Sequence, residues 1–283
     1  MKTITDPREM QREADGLRCA GRRIAVVPTM GALHEGHLAL IREARARVDA
    51  VVATLFVNPA QFGAGEDFGR YPRNLERDAS LAAGAGADVL FAPDAEAMYG
   101  PGYQTYVTVD QVSLPLEGAA RPGHFRGVST IVAKLFIATA PHIAVFGQKD
   151  AQQIVVVRRL IRDLGFDIEL VVVPTVREPD GLALSSRNAY LTPKEREEAP
   201  VLFKALNKAG ELIAAGERSA ETIVRAMRAM IESQTGGVID YCSVADGESL
   251  QELRRVPDRG PVLVSLAVRF GTTRLIDNIH VRI

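Results

Sequence analysis

The feature that most constrains the fold is an alternation of short apolar segments with helical patterns through about the first two-thirds of the chain. The apolar segments are rich in β-branched residues and predict strands at 24–27, 51–57, 89–92, 143–146 and 168–173. The intervening patterns predict helices at 37–48, 72–83, 130–140 and 151–164. Uninterrupted apolar strands separated by helices indicate a parallel sheet covered on both faces. The pattern therefore predicts a doubly wound α/β domain that binds ligands where its strands end.

The pattern changes after about Arg187. Thr192-Pro193 is a helix-start signal, an N-cap followed by proline at the first helical position, and it leads into a long helical stretch to about Ala215. A helix at 220–233 follows, and then strands at 239–244, 262–268 and 274–279. We therefore expect a Rossmann-like domain at 1–187 and a smaller α+β domain, a lid or dimer domain, at 188–283. Segment 176–188 is the expected hinge between them.

Charge and cysteine content exclude several classes of protein. The 283 residues carry 34 Lys and Arg against 35 Asp and Glu, a net charge of −1, which argues against a nucleic-acid binder with a broad basic surface. No apolar segment approaches the ~20 residues that span a bilayer. Cys19 and Cys242 have no zinc or disulfide-framework spacing. We expect a cytoplasmic protein whose partners are small molecules, not nucleic acid or membrane.

The most informative segment, PTMGALHEGH at 28–37, joins a predicted strand to a helix through a glycine-containing turn. The positive end of the helix and its backbone N–H groups suit an anion such as phosphate. His34 and His37 lie on one face of the first turn, and Gly36 allows close approach to the backbone. The zinc motif HExxH, the dinucleotide motif GxGxxG and the P-loop are not matched here. Two surface histidines at a helix start are the competing interpretation.

The HxGH arrangement resembles the nucleotide-binding signature of the nucleotidyltransferase superfamily. The longer segment resembles the pantothenate synthetase (pantoate–β-alanine ligase) family, as do segments that keep the family's order over more than half of the chain. These segments are FVNPAQF (56–62), YPR (71–73), RPGHFRGVSTIV (121–132), FGQKDAQQ (146–153) and DGLALSSRN (180–188).

The resemblance implies an ATP-dependent ligation of pantoate with β-alanine through pantoyl adenylate, with release of AMP and pyrophosphate. It implies a homodimer, and it implies Mg²⁺ bound with ATP. It implies that His37 is a catalytic acid. We expect His34 and Lys149 to be catalytic as well, because donors fixed around the triphosphate would offset its repulsion of the pantoate carboxylate. The ATP-binding residues correspond to Met30, Gly31, Ala32, Leu33, His34, Glu35, Gly36, His37, Gly147, Gln148, Lys149, Asp150, Val176, Leu184, Ser185, Ser186 and Arg187.

The resemblance places Gln61 and Gln153 at the pantoate site, with Gln61 also near β-alanine. It places Asp78 at the magnesium site. Relatives often have a second acid just before this residue, where this chain has Arg77. An exposed helical aspartate is the competing interpretation of Asp78.

Two other functions stay open from the residues alone. A transferase that moves an adenylyl group to a phosphorylated acceptor shares HxGH, but it has no use for FVNPAQF or FGQKDAQQ. A non-catalytic nucleotide sensor is disfavoured because His37, Lys149 and the segment Ser185-Ser186-Arg187 are all present.

Overall fold

The computed structural model describes residues 1–63 and 66–283, and in it the first two-thirds of the chain form a six-stranded parallel sheet in the order β1-β4-β3-β2-β5-β6. Its strands are β1 (Lys2–Ile4), β2 (Ile24–Thr29), β3 (Ala50–Leu55), β4 (Val89–Phe91), β5 (Ile143–Gly147) and β6 (Glu169–Val173). The helices in this part are α1 (Pro7–Cys19), α2 (Glu35–Arg45), α3 (Leu75–Ala85), α4 (Ala95–Met98), α5 (Glu117–Ala120), α6 (His124–Thr139) and α7 (Ala151–Asp163).

Both faces of this sheet are buried, which explains why its strands are apolar without interruption. Along β2, Val26 packs in one hydrophobic cluster and Val27 in the other, because successive side chains of a strand point to opposite faces. The first cluster takes residues of α1, α6 and α7, and the second takes residues of α2 and α3. The predicted doubly wound arrangement is confirmed.

The strand order reverses between β2 and β5, which are neighbours although far apart in the chain. Strands β3 and β4 follow β2 on one side of the sheet, and β6 follows β5 on the other side. Ligands of open α/β sheets bind at such a switch point, outside the carboxyl ends of the strands. The loops that follow β2 and β5 begin at Met30 and Gln148.

The last third forms a three-stranded antiparallel sheet of β7 (Val238–Asp246), β8 (Pro261–Phe270) and β9 (Thr273–Arg282). The preceding helices are α8 (Pro193–Glu198), α9 (Val201–Ala214) and α10 (Ala220–Gln234), of which α9 and α10 share a hydrophobic core with the sheet. A tight hairpin joins β8 to β9, with Phe270 opposite Thr273. Leu182 also packs in this core, and the expected boundary between 187 and 188 stays a prediction.

The structure differs from the predicted elements at several places, and the short elements β1, α4 and α5 were not predicted. The single helical stretch predicted up to about Ala215 is divided into α8 and α9, because Pro200 has no N–H to continue the hydrogen-bond ladder. Helix α6 begins at His124, six residues before the expected start at 130. The sequence reasoning missed α1, whose start is fixed by the Asp6 side chain accepting from the backbone N–H of Glu9 at 2.7 Å.

No helix in the described part of the chain is both long enough and apolar enough to cross a membrane.

Helix α6 packs closely against the loop that carries Gln61, and this contact requires glycine at 127. A Cβ atom at Gly127 would lie 2.2 Å from the backbone oxygen of Ala60. We expect Gly127→Ala to lower the free energy of unfolding by about 1–3 kcal/mol, because backbone must move to relieve the overlap. Denaturant unfolding measures the change. Gly84→Ala is the matched control, because that helical glycine has open space around its Cβ position. Equal stability of the two variants would contradict the packing argument.

Candidate active site

The turn after β2 is held open by one buried carboxylate. Gly31 and Ala32 both have positive φ angles, +87° and +52°, so the backbone bends sharply between the strand and α2. The backbone N–H groups of Ala32 and Leu33 donate to the two oxygens of Asp78, at 2.7 and 2.9 Å. A Cβ at Gly31 would lie 3.1 Å from the same carboxylate. Asp78, on α3, therefore fixes the shape of the turn that precedes the two histidines.

These contacts change the interpretation of Asp78. The residue is 1% exposed, and it also pairs with the Arg77 guanidinium at 3.3 Å. A carboxylate has about four lone-pair sites, and the two backbone N–H groups and Arg77 use three of those of Asp78. Arg77 further donates to the backbone oxygen of Leu33 at 3.2 Å, which puts a positive charge beside the site. The competing interpretation of Asp78 as an exposed helical aspartate is therefore wrong, whereas its expected metal role stays a prediction.

His34 and His37 are stacked at the start of α2. Their ring centroids lie 4.0 Å apart, and the His34 backbone N–H donates to Nδ1 of His37 at 3.3 Å. This bond makes Nδ1 the acceptor, so the neutral His37 ring carries its proton on Nε2. A Cβ at Gly36 would lie 3.0 Å from the His34 ring, so a larger residue at this position would displace the ring.

Both imidazoles are neutral near pH 7 in the unliganded protein. Burial is the main cause: it lowers the pKa of His37 to about 3, with further lowering by His34 and Lys149. It lowers the pKa of His34 to about 4, with Lys149 as the next cause. The Nδ1 atom of His34 is buried without a hydrogen-bond partner in the described part of the chain. The rings therefore act as neutral donors until an anion arrives, since nearby negative charge raises a histidine pKa.

The other expected ATP-binding segments surround this turn. Lys149 follows β5 and is close enough to act on the charge of both histidines. Leu184 lies against Gly36, with its Cβ 3.8 Å from the position of a Cβ there. The backbone N–H of Leu184 donates to the oxygen of Val176 at 3.0 Å. The Tyr71 hydroxyl lies 3.4 Å from Oγ of Ser186. Residues from four separate parts of the sequence thus meet at the ends of β2 and β5.

A cleft of about 690 Å³ opens beside these segments. Lys149, Asp150, Ser185 and Arg187 line it. Its volume is within the range of ~300–1,000 Å³ that small-molecule sites occupy. The arrangement can therefore receive an anionic ligand of nucleotide size against fixed cations and hydroxyl groups.

Gln61 and Gln153 border two smaller cavities next to the cleft. Gln61 lines one of about 150 Å³ and Gln153 lines another of about 50 Å³. Arg121 and His124 line both, so the two cavities adjoin. Nε2 of Gln61 contacts Sδ of Met30 at 2.8 Å, which connects this region to the turn after β2.

The sequence reasoning did not single out Asn58, although it lies in the FVNPAQF segment. This residue is 1% exposed, and its Nδ2 atom donates to Oε1 of Gln61 at 3.1 Å and to the backbone oxygen of Gly127 at 3.0 Å. The Tyr99 hydroxyl donates to its Oδ1 atom at 2.8 Å. Asn58 therefore orients the Gln61 amide. Only the position of Asn58 three residues before Gln61 hinted at this contact.

Comparison with known proteins gives one consistent family. A family model described as pantoate-beta-alanine ligase matches residues 2–280. A pantothenate synthetase of Roseiflexus sp. (strain RS-1) is 54% identical over 278 residues, 98% of each chain. The pantothenate synthetase structure from Thermus thermophilus has a TM-score of 0.91 at 46% identity and 99% coverage of both chains. A pantoate-beta-alanine ligase of Francisella tularensis, complexed with beta-gamma ATP and beta-alanine, has a TM-score of 0.79 at 32% identity, covering 99% of this chain and 97% of its own.

The Asp78 contacts generate a stability prediction. We expect Asp78→Asn to lower the free energy of unfolding by about 1–3 kcal/mol, because the amide group leaves one buried backbone N–H without an acceptor. Denaturant unfolding measures this loss. Glu76→Gln on the same helix is the matched control, because Glu76 is exposed. If both substitutions cost the same, the carboxylate does not hold the turn.

The lowered histidine pKa values generate a pH prediction. An unfolded histidine has a pKa of about 6.5, so between about pH 6.5 and 4 the unfolded chain binds protons that the folded His34 and His37 do not. The free energy of unfolding therefore falls as pH decreases through this window. Comparison of urea unfolding at pH 7 and pH 5 measures the slope. His37→Gln removes one of these groups, and we expect a shallower slope. An unchanged slope would contradict the lowered pKa of His37.

Proposed function

The chain belongs to the pantoate-beta-alanine ligase family and catalyses the ATP-dependent condensation of pantoate with β-alanine, and we propose that the residues gathered at the ends of β2 and β5 carry out this reaction. The observation that carries the proposal is that Lys149 and the 184–187 segment meet the His34–His37 turn: Lys149 acts on the charge of both imidazoles, and Leu184 lies against Gly36. Lys149, Ser185 and Arg187 also line the adjoining cleft.

In the first step, the pantoate carboxylate attacks the α-phosphorus of ATP. A bond forms between a carboxylate oxygen and phosphorus, and the bond to the bridging oxygen breaks as pyrophosphate leaves. Two unit charges ~4 Å apart at an effective dielectric of ~20 repel by about 4 kcal/mol, so fixed positive charge must offset the approach of the two anions. Lys149 and Arg187 border the cleft that would hold the triphosphate.

His37 has a distinct task in this step. Its Nε2–H group is the available donor, because Nδ1 accepts from the His34 backbone. Donation to a phosphate oxygen stabilises charge as it develops in the transition state. The negative charge of ATP raises the pKa of the ring, which prepares His37 to act as the acid that the family resemblance implies. His34 would donate to the same triphosphate.

In the second step, the amine of β-alanine attacks the carbonyl carbon of pantoyl adenylate. The amide bond forms, the bond from that carbon to the AMP oxygen breaks, and the amine loses a proton. We propose that Gln61 and Gln153 hold pantoate, since a primary amide offers two donors and an acceptor to its carboxylate and hydroxyl groups. Gln61, fixed by Asn58, would also contact β-alanine.

The described residues show no large cluster of ligands for the Mg²⁺ that the resemblance implies. They contain no group of three or more acidic, histidine or cysteine residues arranged to hold a metal ion, and the Asp78 oxygens are engaged by the turn. Magnesium with ATP is commonly bound by phosphate oxygens, by water and by one or two carboxylates. We propose that any Mg²⁺ enters in this way with the nucleotide. A homodimer stays a prediction from the resemblance, and sedimentation of the purified protein tests it. A cytoplasmic location stays a prediction from the short apolar segments and the cysteine content.

Release of pyrophosphate tests the reaction against its alternatives. We expect release from ATP only when pantoate is present, and AMP formation equal to pantothenate formation when β-alanine is added. Pyrophosphate release with a phosphorylated acceptor in place of pantoate would instead indicate an adenylyl transferase. No turnover of ATP under any of these conditions would indicate a nucleotide sensor.

His37→Ala separates the two steps. We expect it to slow adenylate formation by about 100-fold or more, because it removes a donor to charge that develops on phosphate. Reaction of β-alanine with pre-formed pantoyl adenylate should slow much less. Single-turnover assays of each step provide the measurement, and His280→Ala, an exposed position on β9, is the matched control. Equal losses in both steps would contradict the assigned role.

A further inference from the structure

Strand β9 of the small sheet contacts the loop that carries Lys149. Asn278 lies on this strand and is 4% exposed. Its Nδ2 atom donates to two consecutive backbone oxygens, that of Gln148 at 3.1 Å and that of Lys149 at 2.9 Å. Its Oδ1 atom accepts from Nε2 of Gln148 at 3.2 Å. One side chain thus uses both its donors and its acceptor on the same short loop.

These bonds lie in the short loop that follows β5. Residues 148–150 form a single 3₁₀ turn between the end of β5 and the start of α7. The oxygens of Gln148 and Lys149 lie beyond the parallel sheet, so the β5 ladder does not bind them. A side-chain amide can satisfy two carbonyls at once, because it has two N–H donors. Asn278 therefore fixes the backbone from which the Lys149 side chain extends toward the cleft.

The preceding residue of β9 holds a second loop of the same cleft. Asp277 is 3% exposed and forms a two-bond ion pair with Arg177, at 2.6 and 2.9 Å. Arg177 donates in turn to the backbone oxygen of Gly181 at 3.1 Å. Segment 177–181 lies between Val176 and the 184–187 segment. Two consecutive residues of β9 thus bind both of the loops that border the cleft on this side.

We propose that Asn278 is a positioning residue of the adenylation step: it holds the Gln148–Lys149 backbone so that the Lys149 ammonium group faces the triphosphate of ATP. The proposal rests on the proposed function of Lys149. Asn278 acts through this lysine and touches no substrate itself. The small sheet, by contributing Asn278, completes a site whose other groups lie mainly on the parallel sheet.

The first test compares the effects of Asn278→Ala on the adenylation rate, on the KM for ATP and on the Kd for pantoate. A misplaced catalytic group can cost about 10- to 100-fold in rate, so we expect a loss of this size in pyrophosphate release during a single turnover with ATP and pantoate. The KM for ATP should rise, whereas the Kd for pantoate should change little. Asn278→Ser, which retains one donor, should lose less. Asn207→Ala is the matched control, because Asn207 is an exposed asparagine on α9, in the same C-terminal third of the chain as Asn278.

The second test separates positioning from a general structural role. In a Lys149→Ala background, we expect Asn278→Ala to cause no further loss of adenylation rate, because residues that act through one another are not additive. A structural role would add its full cost in both backgrounds. Thermal unfolding of every variant identifies the folded fraction, and rates are expressed per folded enzyme. If Asn278→Ala does not fold, Asn278→Ser takes its place in both backgrounds.

Each outcome decides the proposal. A normal adenylation rate in Asn278→Ala, or an equal loss in both backgrounds, overturns the role of Asn278 and leaves the proposed role of Lys149 intact. A normal rate in the Lys149→Ala single variant instead overturns the proposed role of Lys149, and the role of Asn278 with it. The single lysine variant therefore distinguishes the two failures.

Discussion

The site depends on two buried hydrogen bonds, which the turn between β2 and α2 donates from its backbone to the Asp78 carboxylate. The turn has two consecutive residues with positive φ, a conformation that is unfavourable for Ala32, and the backbone N–H groups of Ala32 and Leu33 need acceptors. Asp78 compensates by accepting from both. The position of the helix start, and with it the positions of His34 and His37, follows from this contact. An acid that the sequence suggested as a metal ligand thus serves the site through the shape of the backbone.

The site combines two neutral histidines with the charged lysine and arginine side chains of the adjoining cleft. Burial and the neighbouring Lys149 keep both imidazoles neutral without ligand, so His34 and His37 do not repel each other as cations although their rings are stacked. Permanent positive charge comes instead from lysine and arginine side chains at the border of the cleft. Two neutral histidines can take up a proton when an anion binds beside them, because the anion raises their pKa. Two histidines that are already charged could not respond in this way.

Local sequence patterns predicted the parallel sheet and the strand-to-helix turn, because these depend on apolar periodicity and on glycine and histidine at short spacing. The other segments around the turn were predicted from the family resemblance. They did not predict contacts between residues distant in the chain. Nothing near Asp78 indicates that its partners are Ala32 and Leu33, more than forty positions earlier. Asn278 is likewise about 130 positions from the loop it binds. Exposed and buried polar residues look alike in a single sequence, since burial of a polar side chain depends on partners that only the fold brings near.

The hairpin between β8 and β9 has a consequence for changes in chain length. Its turn sets the pairing of Leu266 with Asp277 and of Ser265 with Asn278. Because successive side chains of a strand alternate in direction, a shift of β9 by one residue would exchange the surroundings of every side chain on it. Insertion or deletion of a single residue between Phe270 and Thr273 is therefore far more disruptive than a substitution there. We therefore expect this hairpin to tolerate changes in loop length less well than surface hairpins usually do.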